Sequence, residues 1–419
     1  MRPSARGVRI DGGRLRARLD DLGEVSPIPG GGSCRLALTD EDRAGRDLVR
    51  SWMLDLGLHV QVDGIGNMIA TWECADGDPV MTGSHIDTVR TGGRYDGNYG
   101  VLAGLEVIET LMTAGLTPSR PLSVAVFTNE EGARFQPDML GSLVYVGGLG
   151  VEEALDTQAI DGARLGDELE RIRYAGSAPV PGPAPHAFVE LHIEQGPLLE
   201  AEGVTIGAVD GVQGISWQEI TVKGQSNHAG TTPMRLRHDP AYVAAAITVF
   251  LRELATEMGG NQVCTVGKID LSPNLVNVVP AVAVLTIDVR NTDEILLRDA
   301  EARIAEYLTD LQEREGVSIE SRRLARFEPV VFDPDVVDLV ERIAIEHGHS
   351  VKRMPSGAGH DAQMLARVCP SAMIFVPSHL GISHNAAEHT DDADLVAGAN
   401  VLLDTMWALT ESYSSKESA

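Results

Sequence analysis

Between about residues 36 and 213, stretches in which apolar residues recur at helical spacing alternate with short strand-like apolar runs. This alternation predicts an α/β fold. Within residues 98–111 apolar side chains recur at helical spacing, whereas residues 123–128 (SVAVFT) form a short continuous apolar run that is typical of a buried strand. Glu130 and Glu131 follow that run directly. Open α/β sheets bind ligands beyond the carboxyl ends of their strands, so we expect catalytic groups at this position.

The pattern changes after residue 213. The next elements have the order βαββαβ, which is the order of a split, ferredoxin-like unit. The α/β composition then returns, so residues 1–213 and 328–419 are expected to form one α/β domain, into which residues 214–327 are inserted as a second domain. The tail, residues 411–419, is predicted to be a frayed end. The predicted elements are strands at 216–222, 263–270, 282–289, 317–322 and 371–376, helices at 241–257, 293–314 and 395–409, and further α/β segments at 337–347 and 364–367.

The composition excludes several classes of partner. The formal net charge of −27 argues against a surface for nucleic acid or anionic lipid, because such binders carry clustered Lys and Arg. No segment approaches the ~20 apolar residues of a membrane span, and the basic N-terminal segment lacks an apolar stretch of signal-peptide length. We therefore expect a soluble, cytoplasmic protein that binds small molecules. Its cysteines are isolated, which favours free thiols over a zinc site or disulfides; they are Cys34, Cys74, Cys264 and Cys369.

Side chains of the kind that ligate metals are spread over the chain, each close to an apolar run. Two divalent ions about 3.5–4 Å apart need a shared carboxylate between them and a few imidazole or carboxylate ligands outside it. The set could supply such a two-metal hydrolytic site. Its members are His85 and Asp87 in MTGSHIDTV, Asp96 in GGRYDGNYG, Glu130 and Glu131 in FTNEEGARF, His192 in ELHIEQGP and His384 in GISHNAAEHT.

Each of these residues also has a plainer interpretation when it is taken singly. His85 could be a hydrogen-bonded structural histidine, although Asp87 could orient it as a ligand by accepting its second ring N–H. Asp96 could be an ordinary turn aspartate. Glu130 and Glu131 could be a solvated acidic turn, but neighbours on an extended chain point in different directions, so one could bind metal while the other acts as a general base.

The order of the motifs carries a family resemblance over nearly the whole chain. GSHxDTV, GGRYDG, NEEGxRF, HIEQGP, GQSNHAGTTPM and a late SHNxxE resemble the metal-dependent amidohydrolases of the M20 peptidase superfamily. Within it they resemble the branch of N-carbamoyl-L-amino acid amidohydrolases, allantoate amidohydrolases and β-ureidopropionases. The resemblance implies one metal held by His85, Asp96 and His192, a second held by Asp96, Glu131 and His384, Asp96 as the bridge, Glu130 as the general base and Asp87 as an orienting group.

The resemblance also implies a substrate site and a role for the insertion, which would form a lid and a homodimer interface. Arg290 could otherwise be a surface charge and His228 a turn histidine. His360 is a weaker candidate, and His379 and His389 receive no role. The implied substrate-binding residues are His228 in GQSNHAGTTPM, Asn277 in LVNVVP, Arg290 in IDVRN, Gln195 in HIEQGP, and Gly357 and Gly359 in PSGAGHDA.

The function that these residues predict is metal-assisted hydrolysis of a C–N amide bond. The substrate would be an N-carbamoyl-L-amino acid, which carries a carboxylate, and the products would be the amino acid, ammonia and carbon dioxide. Allantoate, β-ureidopropionate and N-acyl amino acids are alternative substrates, and a metal-dependent binding protein without catalysis is an alternative of another class. The two ions could be Zn, Mn, Co or Ni, since imidazole and carboxylate ligands suit all four.

Overall fold

The computed structural model describes residues 7–411, so residues 412–419, for which a frayed end is predicted, lie outside it. The chain forms two compact units. The first comprises the chain up to Gly211 and from Val331 onward, and the second is Val212–Val330. The strands, in chain order, are β1 (His59–Val62), β2 (Met68–Trp72), β3 (Val80–His85), β4 (Leu122–Phe127), β5 (Ala187–Ile193), β6 (Ile206–Val212), β7 (Gly214–Lys223), β8 (Asn227–His228), β9 (Val263–Ser272), β10 (Val278–Val279), β11 (Val282–Asn291), β12 (Ser318–Phe327), β13 (Val330–Val331), β14 (Val351–Ser356) and β15 (Ser371–Val376).

Helices connect most of these strands. Several begin at a capping carboxylate, as α10 does where Asp333 accepts hydrogen bonds from two backbone N–H groups of the first turn. Short 3₁₀ turns occur at Met234–Leu236 and His379–Gly381. The α-helices are α1 (Gly12–Gly23), α2 (Asp40–Asp55), α3 (Asn98–Thr113), α4 (Leu140–Tyr145), α5 (Val151–Leu155), α6 (Leu165–Ile172), α7 (Leu198–Glu202), α8 (Pro240–Met258), α9 (Glu294–Glu315), α10 (Pro334–Glu346), α11 (Asp361–Leu365) and α12 (Asp392–Glu411).

The first unit is built on a large mixed sheet. Its strand order is β1-β2-β4-β3-β5-β15-β6-β13, and β14 pairs with β6. The strands β4, β3, β5 and β15 are parallel neighbours, and every residue in them is buried. Helices α3 and α12 pack on this sheet. The predicted α/β class, the strand at 123–128 and the helix at 98–111 are confirmed. Because the four central strands are parallel, their carboxyl ends lie at one edge of the sheet, which is where such sheets bind ligands.

The second unit is an antiparallel sheet with two helices. Its strand order is β12-β7-β11-β9. Helices α8 and α9 contribute Leu251 and Ile304 to a core that they share with β7 and β11. Between residues 214 and 327 the longer elements follow one another as β7, α8, β9, β11, α9 and β12, and the structure adds the short strands β8 and β10. These two-residue strands, which pair with each other, are too short to produce an apolar period in the sequence.

The helices and the cysteines of the structure bear on the expectations from composition. Among the described helices, none combines the length and the apolar character that crossing a bilayer requires. All four cysteines are free in the structure, as their isolated positions predict.

Candidate active site

The carboxyl edge of the parallel strands gathers residues that are far apart in sequence. His85 is the last residue of β3, and His192 is the last but one of β5. Glu130 and Glu131 follow β4, because Asn129 adopts a left-handed conformation (φ 57°) that turns the chain after the strand. The turn is held by the side-chain amide of Asn129, which donates to the carbonyl oxygen of a residue six positions along the chain at 2.9 Å. The strand ends thus bring two imidazoles and two carboxylates together.

Asp96 precedes α3 and lies between the histidines. Its Oδ1 is 3.2 Å from Nε2 of His192 and 3.8 Å from Nε2 of His85. Its Oδ2 is 3.3 Å from Nε2 of His384, and that same nitrogen is 3.2 Å from Oε2 of Glu131. Each oxygen of Asp96 therefore faces a different group of ligand atoms, which is the arrangement that a bridging carboxylate requires.

The ring orientations of the two buried histidines suit metal binding. Nδ1 of His85 is 2.8 Å from the carbonyl oxygen of Asp87, and Nδ1 of His192 is 2.8 Å from that of Ile193. These contacts favour a proton on Nδ1 of each ring, so that Nε2 could bind a metal ion; Nε2 of His192 also accepts the Gly97 N–H at 3.1 Å. The glycine that follows Asp96 has φ 66°, and a Cβ atom there would overlap the ring of His85, so only glycine permits this close approach.

Asp87 orients the site differently from the prediction. The predicted contact joins its carboxylate to His85, but that carboxylate lies 4.0 Å from Nδ1 and the backbone carbonyl takes the ring N–H instead. The two carboxylate oxygens accept the backbone N–H groups of Glu130 and Glu131, at 3.3 and 3.4 Å. The reason is geometric, since the carbonyl lies nearer to the ring and the side chain points toward the glutamate turn. Asp87 thus positions three candidate residues rather than one.

Burial and charge act on the ionisable groups of this cluster in opposite directions. Burial raises the pKa of Glu130 well above its ordinary value, and the neighbouring carboxylates, Asp361 first among them, add to that rise. Burial also opposes ionisation of Asp96, yet its close contacts with the His192 and His384 rings, which favour a charged carboxylate when those rings are protonated, hold its pKa well below the ordinary value. The hydrogen bond of His384 to Asp96, and a second one to Glu131, raise the pKa of its ring to about 11. The site therefore favours positive charge between its carboxylates.

Within residues 7–411, three groups of side chains bring their ligand atoms close enough to hold a metal ion: His85 with Asp96 and His192, Asp96 with Glu131 and His384, and Glu190 with His192 and His360. The first two share Asp96 and contain every predicted ligand. In the third, the two oxygens of Glu190 already accept hydrogen bonds from Ser84 Oγ and the Ala362 N–H, both at 2.7 Å. The first two groups therefore fit a pair of divalent cations better. The side chain of His384 is 52% exposed, so the second group is accessible to solvent.

Other predicted residues of the first unit lie around these groups. Gln195 donates from its side-chain amide to Oδ2 of Asp96 at 3.0 Å. His360 is buried, and its ring centre is 4.6 Å from that of His192. Gly359 lies close to the side chain of Met139, and Gly357 is exposed. The structure thus brings Gln195 and His360 to the ligand cluster.

Two residues of the site received no role from sequence reasoning. Ser383 Oγ is 3.3 Å from Oδ2 of Asp96, and the buried Glu388 accepts the Asp96 N–H at 3.2 Å. Glu388 is the glutamate of the SHNxxE motif, so that motif was the signal that could have pointed to it.

The remaining predicted residues lie in the second unit. His228 pairs with Val278 in the ribbon of β8 and β10, and the carbonyl oxygen of Asn277 accepts the N–H that follows His228, at 2.9 Å. The ribbon therefore places His228 and Asn277 together. Arg290 lies near the end of β11, and its guanidinium forms a salt bridge of 2.8 Å with Asp288.

Comparison with known proteins identifies the family. The family model of peptidase family M20/M25/M40 matches residues 81–408, which is most of the chain. This chain belongs to that family. An N-carbamoyl-L-amino-acid amidohydrolase of Rhizobium meliloti is 41% identical to this M20 family member over 396 residues, which are 94% of this chain and 95% of the relative. An N-carbamoyl-L-amino acid amidohydrolase of Geobacillus stearothermophilus is 39% identical over 96% of this chain and 99% of its own.

A solved structure is similar over the same extent. The crystal structure of an amidase of the hydantoinase/carbamoylase family from Burkholderia multivorans superposes on this M20 family member with a TM-score of 0.93. The two sequences are 42% identical, and the match covers 96% of this chain and 98% of the other. The similarity thus extends over nearly the full length of both chains, including both of the compact units.

Proposed function

We propose that this protein hydrolyses the carbamoyl C–N bond of N-carbamoyl-L-amino acids to the amino acid, ammonia and carbon dioxide. The observation that carries this proposal is Asp96, whose two oxygens face two different ligand groups, with Glu130 beside them. A shared carboxylate between two imidazole-containing groups is the ligand pattern of a two-metal hydrolase. The names of the relatives support the carbamoyl group as the substrate part that is cleaved.

Two divalent ions, Zn, Mn, Co or Ni, would complete the site. His85, Asp96 and His192 would hold one ion, and Asp96, Glu131 and His384 the other. When bound, such ions polarise a carbonyl group and make water more acidic. The chain holds its two buried imidazoles in the required tautomer through backbone carbonyl oxygens, which limits the reorganisation that ion binding requires.

Glu130 would move the proton during the reaction. Its Oε2 is 3.4 Å from Nε2 of His85, so its carboxylate lies at the ligand cluster, yet it is not needed in either ligand group. It would accept a proton from the attacking water at a carboxylate oxygen and return it to the leaving nitrogen. Burial among other carboxylates raises its pKa well above the ordinary value, which favours proton uptake; a divalent cation nearby would oppose that rise.

The substrate-binding roles are proposed residue by residue. We assign the ureido group to Gln195, whose amide reaches Asp96, with Gly357 and Gly359 giving backbone access. His228 and Asn277 would stabilise the developing oxyanion, and Arg290 would bind the substrate carboxylate. The Asp288 carboxylate accepts hydrogen bonds from the guanidinium of Arg290, which orients it.

The test of this function is ammonia release from a substrate panel, measured with the wild-type protein and with Arg290→Lys. We expect the highest kcat/KM with N-carbamoyl-L-amino acids, compared with their D-enantiomers, allantoate, β-ureidopropionate and N-acyl amino acids. A lysine cannot form the two parallel hydrogen bonds of a guanidinium, so the substitution should lower kcat/KM for the preferred substrate by about 10-fold or more.

An N-alkylurea, which has the carbamoyl group but no carboxylate, is the matched control and should lose little when Arg290 is replaced. Equal losses on both compounds would contradict a carboxylate contact for Arg290. If another compound of the panel gave the highest kcat/KM, the proposed substrate would be wrong. The proposal of a hydrolytic two-metal site would be unaffected.

We also propose that the second unit acts as a lid and mediates a homodimer. Strand β9 is an edge strand of the antiparallel sheet, and Val263 and Ile269 on it are each 45% exposed. The neighbouring helix α8 exposes Tyr242 and Val249. An exposed apolar edge strand is a surface that pairs readily with another chain, and two copies of β9 would form one continuous sheet.

Sedimentation equilibrium should therefore give about two chains of 44.8 kDa per particle. The double variant Val249→Glu/Val263→Lys should sediment as a single chain, because it places charges on the proposed interface. Ile295→Lys, at an exposed position on α9, is the matched control and should remain dimeric. A double variant that stays dimeric would place the interface elsewhere on the protein.

A further inference from the structure

Glu388 is a buried carboxylate, and both of its oxygens accept hydrogen bonds. Its Oε1 accepts the backbone N–H groups of Tyr95 and Asp96, at 2.9 and 3.2 Å. Its Oε2 accepts the hydroxyl of Ser383 at 3.0 Å. Only 7% of Glu388 is exposed, so water does not compete for these hydrogen bonds.

These hydrogen bonds join two loops that carry different ligand candidates. One loop follows β3 and contains Asp96, and the other follows β15 and contains His384. The Asp96 N–H and the carboxylate that binds it are 292 residues apart in sequence. A second link joins the same loops, since Thr91 donates to the carbonyl oxygen of His384 at 3.0 Å. The two ligand groups are thus fixed relative to each other by contacts that do not themselves require a metal.

The Asp96 loop is shaped around the carboxyl group of Glu388. A Cβ atom added to Gly93 would overlap that carboxyl group, so a side chain at this position could not be accommodated without movement of the loop. Ser383 contacts the system from the other side, because its Oγ lies 3.0 Å from Glu388 and 3.3 Å from Oδ2 of Asp96. The backbone N–H of Asp96 is therefore held by Glu388, and its Oδ2 accepts the side-chain amide of Gln195 at 3.0 Å.

We infer that Glu388 is a positioning residue, which holds Asp96 so that each of its oxygens faces one of the two ligand groups. Glu388 reaches Asp96 through the backbone and through Ser383, and neither ligand group includes it. This inference rests on the two-ion site of the proposed function. It predicts that loss of Glu388 weakens the binding of both ions, because both share Asp96, whereas loss of Glu131 should weaken one.

The test compares Zn²⁺ binding to the full-length protein, measured by competition with a chromophoric chelator, among variants that differ in these hydrogen bonds. Glu388→Ala should raise both Zn²⁺ dissociation constants by roughly 10–100-fold, which is the usual cost of losing an outer-shell partner. Glu388→Gln keeps an oxygen that can accept the same two N–H groups, so its constants should stay within about 3-fold of wild type. Ser383→Ala removes the hydroxyl that donates to Glu388, so its Zn²⁺ dissociation constants should lie between those of the other two variants. If Glu388→Ala does not fold, Ser383→Ala provides the test.

Asp63 supplies a matched control for the general cost of removing a buried carboxylate. Its Oδ1 accepts the backbone N–H groups of Ile65 and Asn67, at 3.0 and 2.9 Å. Its Oδ2 accepts the side-chain amide of Asn67 at 2.8 Å, and Asp63 is only 4% exposed. These partners include no ligand candidate. Asp63→Ala should lower the midpoint of thermal unfolding but leave both Zn²⁺ constants unchanged.

Several outcomes would overturn the inference. A folded Glu388→Ala protein with wild-type Zn²⁺ constants would do so, as would Asp63→Ala weakening Zn²⁺ as much as Glu388→Ala. Glu388→Gln binding as poorly as Glu388→Ala would show that charge, and not hydrogen-bond geometry, matters at this position. Failure of the wild-type protein to bind any of Zn²⁺, Mn²⁺, Co²⁺ and Ni²⁺ would refute the two-ion site, and with it both the proposed function and the role of Glu388. The two failures are thus distinguishable.

Discussion

Glu130→Gln is expected to lower kcat by about 10²–10⁴-fold while the protein keeps nearly its full metal content. The amide is of almost the same size as the carboxylate, but it cannot accept a proton. Glu130 lies among buried carboxylates that raise its pKa, so a neutral side chain there should not destabilise the fold by repulsion. Steady-state kinetics and metal analysis on the same preparation measure the two effects separately.

Glu131→Gln is the matched comparison, because the two glutamates are adjacent in sequence and follow the same strand. Its Oε2 lies 3.2 Å from Nε2 of His384 and belongs to a ligand group, so this substitution should lower metal occupancy as well as turnover. Thermal unfolding would establish that both variants are folded. The reverse pattern, with Glu130 controlling occupancy and Glu131 controlling kcat alone, would exchange the proposed roles.

Removal of divalent metal is expected to abolish activity, and addition of Mn, Co, Ni or Zn is expected to restore it. The physical reason is the concentration of buried acidic groups around Asp96, which a divalent cation would neutralise. Binding to the folded state should also stabilise it, by about 2.7 kcal/mol when the free ion concentration is 100 times its dissociation constant. Dialysis against a chelator, followed by metal analysis, assay and thermal unfolding with each added ion, measures these effects.

A metal-stripped protein that keeps full turnover would contradict the two-ion proposal. Mg²⁺ is a suitable control ion, since it is bound mainly by oxygen ligands and both ligand groups contain imidazole, so it should restore little activity. The identity of the most effective ion would then define the metal preference of the protein.

The sequence alone determined the fold class and the candidate ligands. The strand of residues 122–127 could be predicted because its apolar run is local, and Glu130 and Glu131 could be assigned to the site because they follow that strand. The βαββαβ order of the second unit was readable for the same reason. The ribbon of β8 and β10 was not, because two residues per strand leave no period in the sequence.

Only the tertiary structure decided how the side chains of the site contact each other. It showed that Asp96 presents one oxygen to His192 and the other to His384, and that the carbonyl of Asp87, not its carboxylate, contacts His85. It also added Glu388 to the site. These contacts join residues up to 293 positions apart, and they depend on which atoms lie within hydrogen-bond distance after the sheet has formed. Apolar periodicity and motifs specify which residues reach the sheet edge, whereas the packing of the loops specifies which of their atoms meet.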